Sequence, residues 1–186
     1  MDNNNRVMDF PNTCTFRPAP RSIGELCNNY YEFVVNSDKL EKLYPWATRF
    51  VCGYPVPDFQ RELKWSPAQK IKLIQSIWLN IDIGTYLLTD GTMLADGTMR
   101  KFSDMVIDGQ QRLSALEDYF ADRLAVPDVH GAQRLFSEIT EVDRRFFRGK
   151  IFSRCTVESY DEANLKNIYN LLAFGGVAHE ASERAV

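Results

Sequence analysis

The sequence predicts an α+β fold in which helices hold the majority, and three observations carry that expectation. Several stretches place apolar residues at helical spacing directly behind helix-start signals. Short runs rich in Val, Ile, Tyr and Phe lie between those stretches rather than in one block. The 186 residues, 45% of them apolar and 25% charged, suffice for one domain that buries a core without needing disulfides or a metal.

The elements follow in order. Residues 1–21 carry three prolines and little periodicity, so they are expected to form a flexible, extended arm ordered only against a partner. Residues 22–186 are then a single domain. Ser22-Ile23-Gly24-Glu25 has capping-box spacing, and Ile23, Leu26, Cys27, Tyr30 and Val34 fall on one helical face. A shorter helical stretch runs from Asp38 to Tyr44 and stops before Pro45. Arg49 to Val56 reads as one strand leading into a loop at Pro57. Ser66-Pro67-Ala68-Gln69 combines an N-cap serine, a proline at the first helical position and a glutamine at the third, ahead of a stripe of Ile71, Ile74, Ile77 and Trp78. Thr85 to Thr89 is the next strand. Asp90-Gly91 and Asp96-Gly97 mark turns around a hairpin or an irregular excursion. Met105-Val106-Ile107 is a short apolar strand, and the helix after residue 112 buries Leu113, Leu116, Tyr119 and Phe120. Pro127 and Gly131 break the chain, and two short helices are expected through Phe147. Lys150 to Tyr160 reads as a strand, and Asp161 caps a last helix to Ala173, ended by Gly175-Gly176.

Composition excludes some classes of protein. Cys14, Cys27, Cys52 and Cys155 are scattered without a Cys-x-x-Cys pair, which favours reduced, mostly buried thiols over zinc or redox chemistry. The start, Met1 to Arg6, lacks a signal peptide's apolar run, and no apolar stretch approaches the ~18 residues of a membrane span. A cytoplasmic protein without membrane contact is expected. A net charge of −3 argues against a surface that is basic all over, though not against a local basic groove.

The most informative stretch is Asp108-Gly109-Gln110-Gln111-Arg112, at a strand-to-helix junction. Asp108 at the N-cap with Gln111 three residues on would make a capping box, and that alone implies no chemistry. Arg112, however, puts a positive charge in the first turn, where the helix dipole is already positive. An anion would offset it: Gly109 would let a phosphate approach free backbone N–H groups, and Arg112 could grip two oxygens. A neighbouring carboxylate would neutralise it equally well.

Val106 to Leu113, containing this pentapeptide, resembles the signature of GmrSD-type N-terminal domains of the ParB/sulfiredoxin-like superfamily, a small mixed sheet flanked by helices. A second block, Val56-Pro57-Asp58-Phe59-Gln60-Arg61 followed by Trp65, is similar to the family's proline, aromatic, Gln-Arg, Trp pattern. A third, Ile168 to Gly176, resembles its later helix-to-glycine segment, with Ala173 standing where asparagine is expected. The resemblance spans about residues 22–180. It implies a role in phage–host conflict, through restriction or its evasion. It also associates Asp108, Gln110, Gln111 and Arg112 with nucleotide binding and hydrolysis or with DNA cleavage. Many relatives carry a separate nuclease domain; ending at Val186, this chain is expected to catalyse within this domain or to act by binding.

On that resemblance Gln60 and Arg61 lie beside the junction, with Arg61 a second phosphate clamp alongside Gly109 and Arg112; the plainer reading pairs Arg61 with Asp58 or Glu62 on the surface. Gln110 and Gln111 would orient a water, and Asp108 would hold the junction, polarise that water or bind a metal. No resident metal site is expected, but magnesium arriving with a nucleoside triphosphate could use Asp108 or Asp104. His179, followed by Glu180, is either a general acid–base or an exposed terminal histidine; His130 is a loop residue. Arg144, Arg145, Arg148, Lys150 and Arg154, interleaved with Phe146, Phe147 and Phe152, are either a nucleic-acid patch or a helix end and strand with aromatics inward and cations outward. Two functions remain open: an enzyme acting on a nucleoside triphosphate or a DNA phosphodiester, and a non-catalytic module that engages DNA or a host defence protein.

Overall fold

The computed structural model describes residues 15–174. Phe16–Ala19 (β1) leads to Ser22, whose hydroxyl accepts the Glu25 N–H while the Glu25 carboxylate accepts the Ser22 N–H. This capping box opens Ile23–Leu43 (α1), which runs through both expected helical stretches as one element, kinked where Asn36 leaves helical geometry (φ −122°, ψ 29°). Arg49–Val51 (β2) and Tyr54–Val56 (β3) form an antiparallel hairpin where one strand was expected. Cys52 (φ 48°) and Gly53 (φ 79°) are both left-handed, the geometry that reverses a chain in two residues. A second capping box, between Ser66 and Gln69, starts Pro67–Trp78 (α2).

Thr85–Thr89 (β4) lies where the sequence places it, followed by Val106–Asp108 (β5) and Gln110–Phe120 (α3). Next come a minimal hairpin, Val126–Pro127 (β6) with Gln133–Arg134 (β7), and a single helix, Glu141–Arg148 (α4), where two short helices were expected. Ser153–Val157 (β8) and Glu162–Phe174 (α5) complete the described chain. The Asp161 carboxylate accepts the Asn164 N–H at 2.8 Å, as the expected cap of α5 should. Gly175 and Gly176 lie outside the described residues.

One small mixed sheet has the order β1-β8-β4-β5, with β8 and β4 parallel and both outer pairings antiparallel. Part of the expected arm is therefore a strand of this chain's own sheet: Phe16 lies opposite Val157 and Ala19 opposite Arg154. Pro18 obscured that reading, yet an edge strand tolerates a residue that cannot donate on its outer side. Residues 1–14 lie outside the description.

Alternation along β4 sends side chains to two cores. Tyr86 and Leu88 join Ile23, Leu26, Ile74, Leu113, Leu116, Phe147 and Phe152 on the face covered by α1 to α4. Leu87 joins Met105, Ile107, Val157, Leu165 and Ile168 on the face covered by α5. Burying each such side chain contributes about 1.5–3 kcal/mol. Cys27 and Cys52 are buried free thiols, as expected. No helix among the described residues is long and apolar enough to cross a membrane.

The connection from β4 to β5 is irregular, with an isolated Met93–Met99 bridge and two left-handed residues at its end, Phe102 (φ 69°) and Asp104 (φ 52°). The Thr89 hydroxyl holds the turn, donating to the Phe102 carbonyl and accepting the Met105 N–H. Asp104 is half-buried beside Gly91 and accepts the Tyr44 hydroxyl at 2.8 Å.

Candidate functional site

The junction between β5 and α3 departs from the capping box expected of it. Asp108 is the last residue of β5, opposite Leu87, and the N-cap is Gly109 in left-handed conformation (φ 96°) without a side-chain cap. A Cβ on Gly109 would stand 2.7 Å from the Tyr86 Cβ. Glycine is thus required twice over, for its φ and for the close approach of β4.

Three of the polar side chains singled out from the sequence hold the architecture. Both ends of the Gln111 amide are engaged: its oxygen accepts the Lys64 and Trp65 N–H groups at 3.0 and 3.1 Å, and its nitrogen donates to the Glu62 carbonyl at 3.3 Å. Gln60 is buried and donates to the Val106 and Ile107 carbonyls at 2.5 and 3.0 Å, closing the outer edge of β5. Arg112 donates to the Ile83 and Thr85 carbonyls at 2.6 and 2.9 Å and pairs with Asp108 at 2.8 Å. Of the two ways to neutralise Arg112, the neighbouring carboxylate is the one present.

These anchors bring the three sequence blocks around a cleft of about 230 Å³. Arg61 and Trp65 come from the loop before α2, Ile107 to Arg112 from the junction, and Tyr169 and Leu172 from α5. Arg61 and Arg112 do converge on it. The Arg61 backbone N–H points to the Tyr169 hydroxyl at 3.5 Å, while its exposed guanidinium forms no ion pair with any described residue. The plainer reading that tied it to Asp58 or Glu62 does not hold, since Asp58 instead accepts the Thr48 hydroxyl at 2.8 Å. Gln110 is 8% exposed, and its amide has no hydrogen-bond partner among the described residues. Among the described residues, charge in the cleft is therefore one balanced pair, Asp108–Arg112, plus the cation of Arg61. Trp65, Tyr169 and Leu172 were not singled out from sequence. Their signal was present in the second and third blocks, and Tyr169 and Leu172 lie three apart, on one face of α5.

Other candidates lie elsewhere. Asp104 is enclosed with Tyr44 and does not line the cleft, which removes it as a metal ligand there; burial holds its carboxyl above the usual carboxylate range. No group of three or more His, Cys, Asp or Glu side chains among the described residues is arranged to hold a metal ion. The basic run is divided rather than presented as a stripe. Arg144 bonds the Ser137 and Ile139 carbonyls and Glu141, Arg148 bonds Asn28, and Lys150 sits 3.9 Å over the Phe146 ring. Arg154 is half-buried opposite Tyr86, and Arg145 is exposed. Phe147 and Phe152 point inward as the plainer account requires, whereas Phe146 is 57% exposed. His130 is an exposed loop residue. His179 and Glu180 lie outside the described residues.

Fold and cleft define a small α+β domain in which a strand-to-helix junction, a loop and a late helix share one open site. The chain belongs to the family of GmrSD restriction endonuclease N-terminal domains, whose model matches residues 40–180. It is also 36% identical over 77 residues to an uncharacterized protein of Methanocaldococcus jannaschii, covering 33% of this chain and 13% of that protein. No solved structure matches the chain.

Proposed function

We propose that this domain binds a phosphate-bearing ligand, a nucleoside triphosphate or a DNA phosphodiester, in the cleft at the β5–α3 junction. The observation that carries this reading is the meeting of the Arg61 guanidinium with the amide of Gln110, neither paired with a described residue, beside the uncapped start of α3. Gly109 leaves room for an oxygen to approach the backbone. Asp108 is the one carboxylate lining the cleft among the described residues, so a magnesium ion would arrive with the phosphates and take Asp108 as a protein ligand. Metal bound this way would neutralise phosphate charge. The chain's own part is to hold the oxygens at Arg61 and orient the ligand at Gln110. Such ligands, and the restriction-linked family, fit a cytoplasmic protein of phage–host conflict with wider kinship to the ParB/sulfiredoxin-like superfamily.

A second reading, binding without turnover to DNA or a host defence protein, is favoured by the engagement of Gln111, Arg112 and Asp108 in structural bonds, which leaves no unpaired base in the cleft among the described residues. Thermal unfolding with each nucleoside triphosphate and magnesium tests the site, using the parent, Arg61→Ala and Gln110→Ala. A ligand at a hundred times its Kd adds about 2.7 kcal/mol, a shift of several degrees. The shift should appear in the parent and shrink in both variants; a shift of equal size in all three would move the ligand out of this cleft. Release of inorganic phosphate by the parent then separates turnover from binding.

A further inference from the structure

Helix α4 is ordered by charge. Glu141 and Asp143 stand in its first turn, Arg145 and Arg148 in its last, and Lys150 follows. That order suits the helix's own dipole, but the dipole does not account for the apolar side chains between the charges. Val142 is 77% exposed and Phe146 57% exposed, four residues apart on one face. Phe147 seats the helix on the core against Trp78, Tyr119 and Phe136, leaving Val142 and Phe146 turned outward. Phe146 is nevertheless held in place. Trp78 stacks on it with ring centroids 6.2 Å apart and planes 25° apart, and the Lys150 ammonium sits 3.9 Å from its ring centre. An aromatic side chain already ordered loses little freedom on contact, which favours recognition.

The charges beside this stripe indicate what it fits. Glu141 and Arg145 stand four apart along one edge and straddle the midpoint between Val142 and Phe146. Glu141 bonds Arg144 at 3.1 Å yet stays largely exposed, and Arg145 makes no ion pair with any described residue. A face that is acidic at one end and basic at the other complements its own reverse. Laid antiparallel about a two-fold axis through the midpoint, a second copy sets Val142 against the partner's Phe146 and Phe146 against the partner's Val142. The same axis brings Arg145 of each copy beside Glu141 of the other and opposes the two helix dipoles. A nucleic acid on this face would instead meet the carboxylates of Glu141 and Asp143.

We propose that two copies of this chain associate through the outer face of α4, antiparallel about a two-fold axis between Val142 and Phe146. The apolar stripe is short, so the dimer is weak and depends on concentration. None of these residues lines the cleft at the β5–α3 junction, so this association stands apart from ligand binding there.

Sedimentation velocity of the whole chain at rising concentration tests it in the parent, Val142→Glu, Phe146→Glu, Arg145→Glu and Glu141→Arg, with each variant's fold checked by circular dichroism. The parent should pass from monomer to dimer, while Val142→Glu and Phe146→Glu stay monomeric. Each charge reversal should weaken the dimer roughly 2- to 30-fold, because the axis makes the contact twice. Mixing Arg145→Glu with Glu141→Arg should restore association, since each then supplies the charge the other lacks. A parent that stays monomeric at the highest concentration overturns the inference, as does a dimer that Val142→Glu leaves intact. Reversals without effect, or a mixture that restores nothing, overturn the antiparallel pairing. A monomeric parent that binds a short oligo(dT) strand, and loses it on Phe146→Glu, gives the face to nucleic acid instead. Should Phe146→Glu disturb the packing of Trp78, the more exposed Val142 carries the test alone.

Discussion

Arg112 and Arg61 line the same cleft, yet their bonds assign them different work. Truncating Arg112 strands two carbonyls and an aspartate, so Arg112→Ala should lower the stability of the ligand-free protein by about 1.5–3 kcal/mol, read from urea unfolding. Arg61→Ala breaks no side-chain bond and should stay within about 0.5 kcal/mol of the parent while losing ligand affinity. Comparable destabilisation by both would refute this division. Asp104 offers a pH test. Burial, and secondarily the charge of Asp90, raise its pKa against the opposing Tyr44 hydrogen bond and the charge of Arg154. The folded state therefore keeps this proton to higher pH than the unfolded chain does. Its contribution is fully present below the unfolded value, near ~3.9, and is lost as pH climbs through the folded value. The unfolding midpoint of the parent should fall over that window relative to Asp104→Asn; parallel curves would count against it. At this scale the sequence disclosed the motif but not its wiring, because Gln111 meets partners 46 and 47 positions away and no local pattern encodes them.

Among the elements, legibility followed locality. Ser22 and Ser66 were readable as helix starts because each cap closes within three residues. The β2–β3 turn was not, since a cysteine seldom occupies the left-handed position that Cys52 takes. What holds it there is remote: Asn29 donates to its carbonyl, Glu117 accepts its N–H at 2.6 Å, and its thiol faces the Leu113 carbonyl. At the β5–α3 junction the sequence pointed to Asp108 as the cap, and the left-handed Gly109 displaced it by one residue. Gly109→Ala should accordingly cost more than 1 kcal/mol, roughly, through its φ and the Tyr86 clash together. An unfolding midpoint unchanged from the parent would mean that β4 yields there.

Across the whole molecule, the sheet joins segments that the sequence keeps far apart. β1 touches the sheet only through β8, reinforced where Arg17 bridges Asp90 and Glu158 at 2.7 and 2.9 Å. Those exposed ion pairs are worth little each, so the strand pairing carries most of the effect. Deleting residues 1–19 would bare the long edge of β8 and should both lower the melting temperature and promote association, measured by calorimetry and light scattering. A monomer as stable as the parent would restore the view of this stretch as a dispensable arm. The other edge is partly covered, because the Gln60 amide bonds the Val106 and Ile107 carbonyls of β5.

The central place of β8 has a consequence for how the protein is made. Its partners β1 and β4 are complete long before it, but neither gains its pairing with β8 until residues 153–157 have left the ribosome. From the completion of β5 at residue 108 until β8 emerges, the nascent chain holds β4 and β5 as an isolated pair, with β1 waiting at the far end. Such distant pairing slows folding, and chaperones that shield unpaired strands have their longest opportunity here. A stalled or prematurely terminated product lacking β8 would carry every other strand of the sheet and still be unable to assemble it.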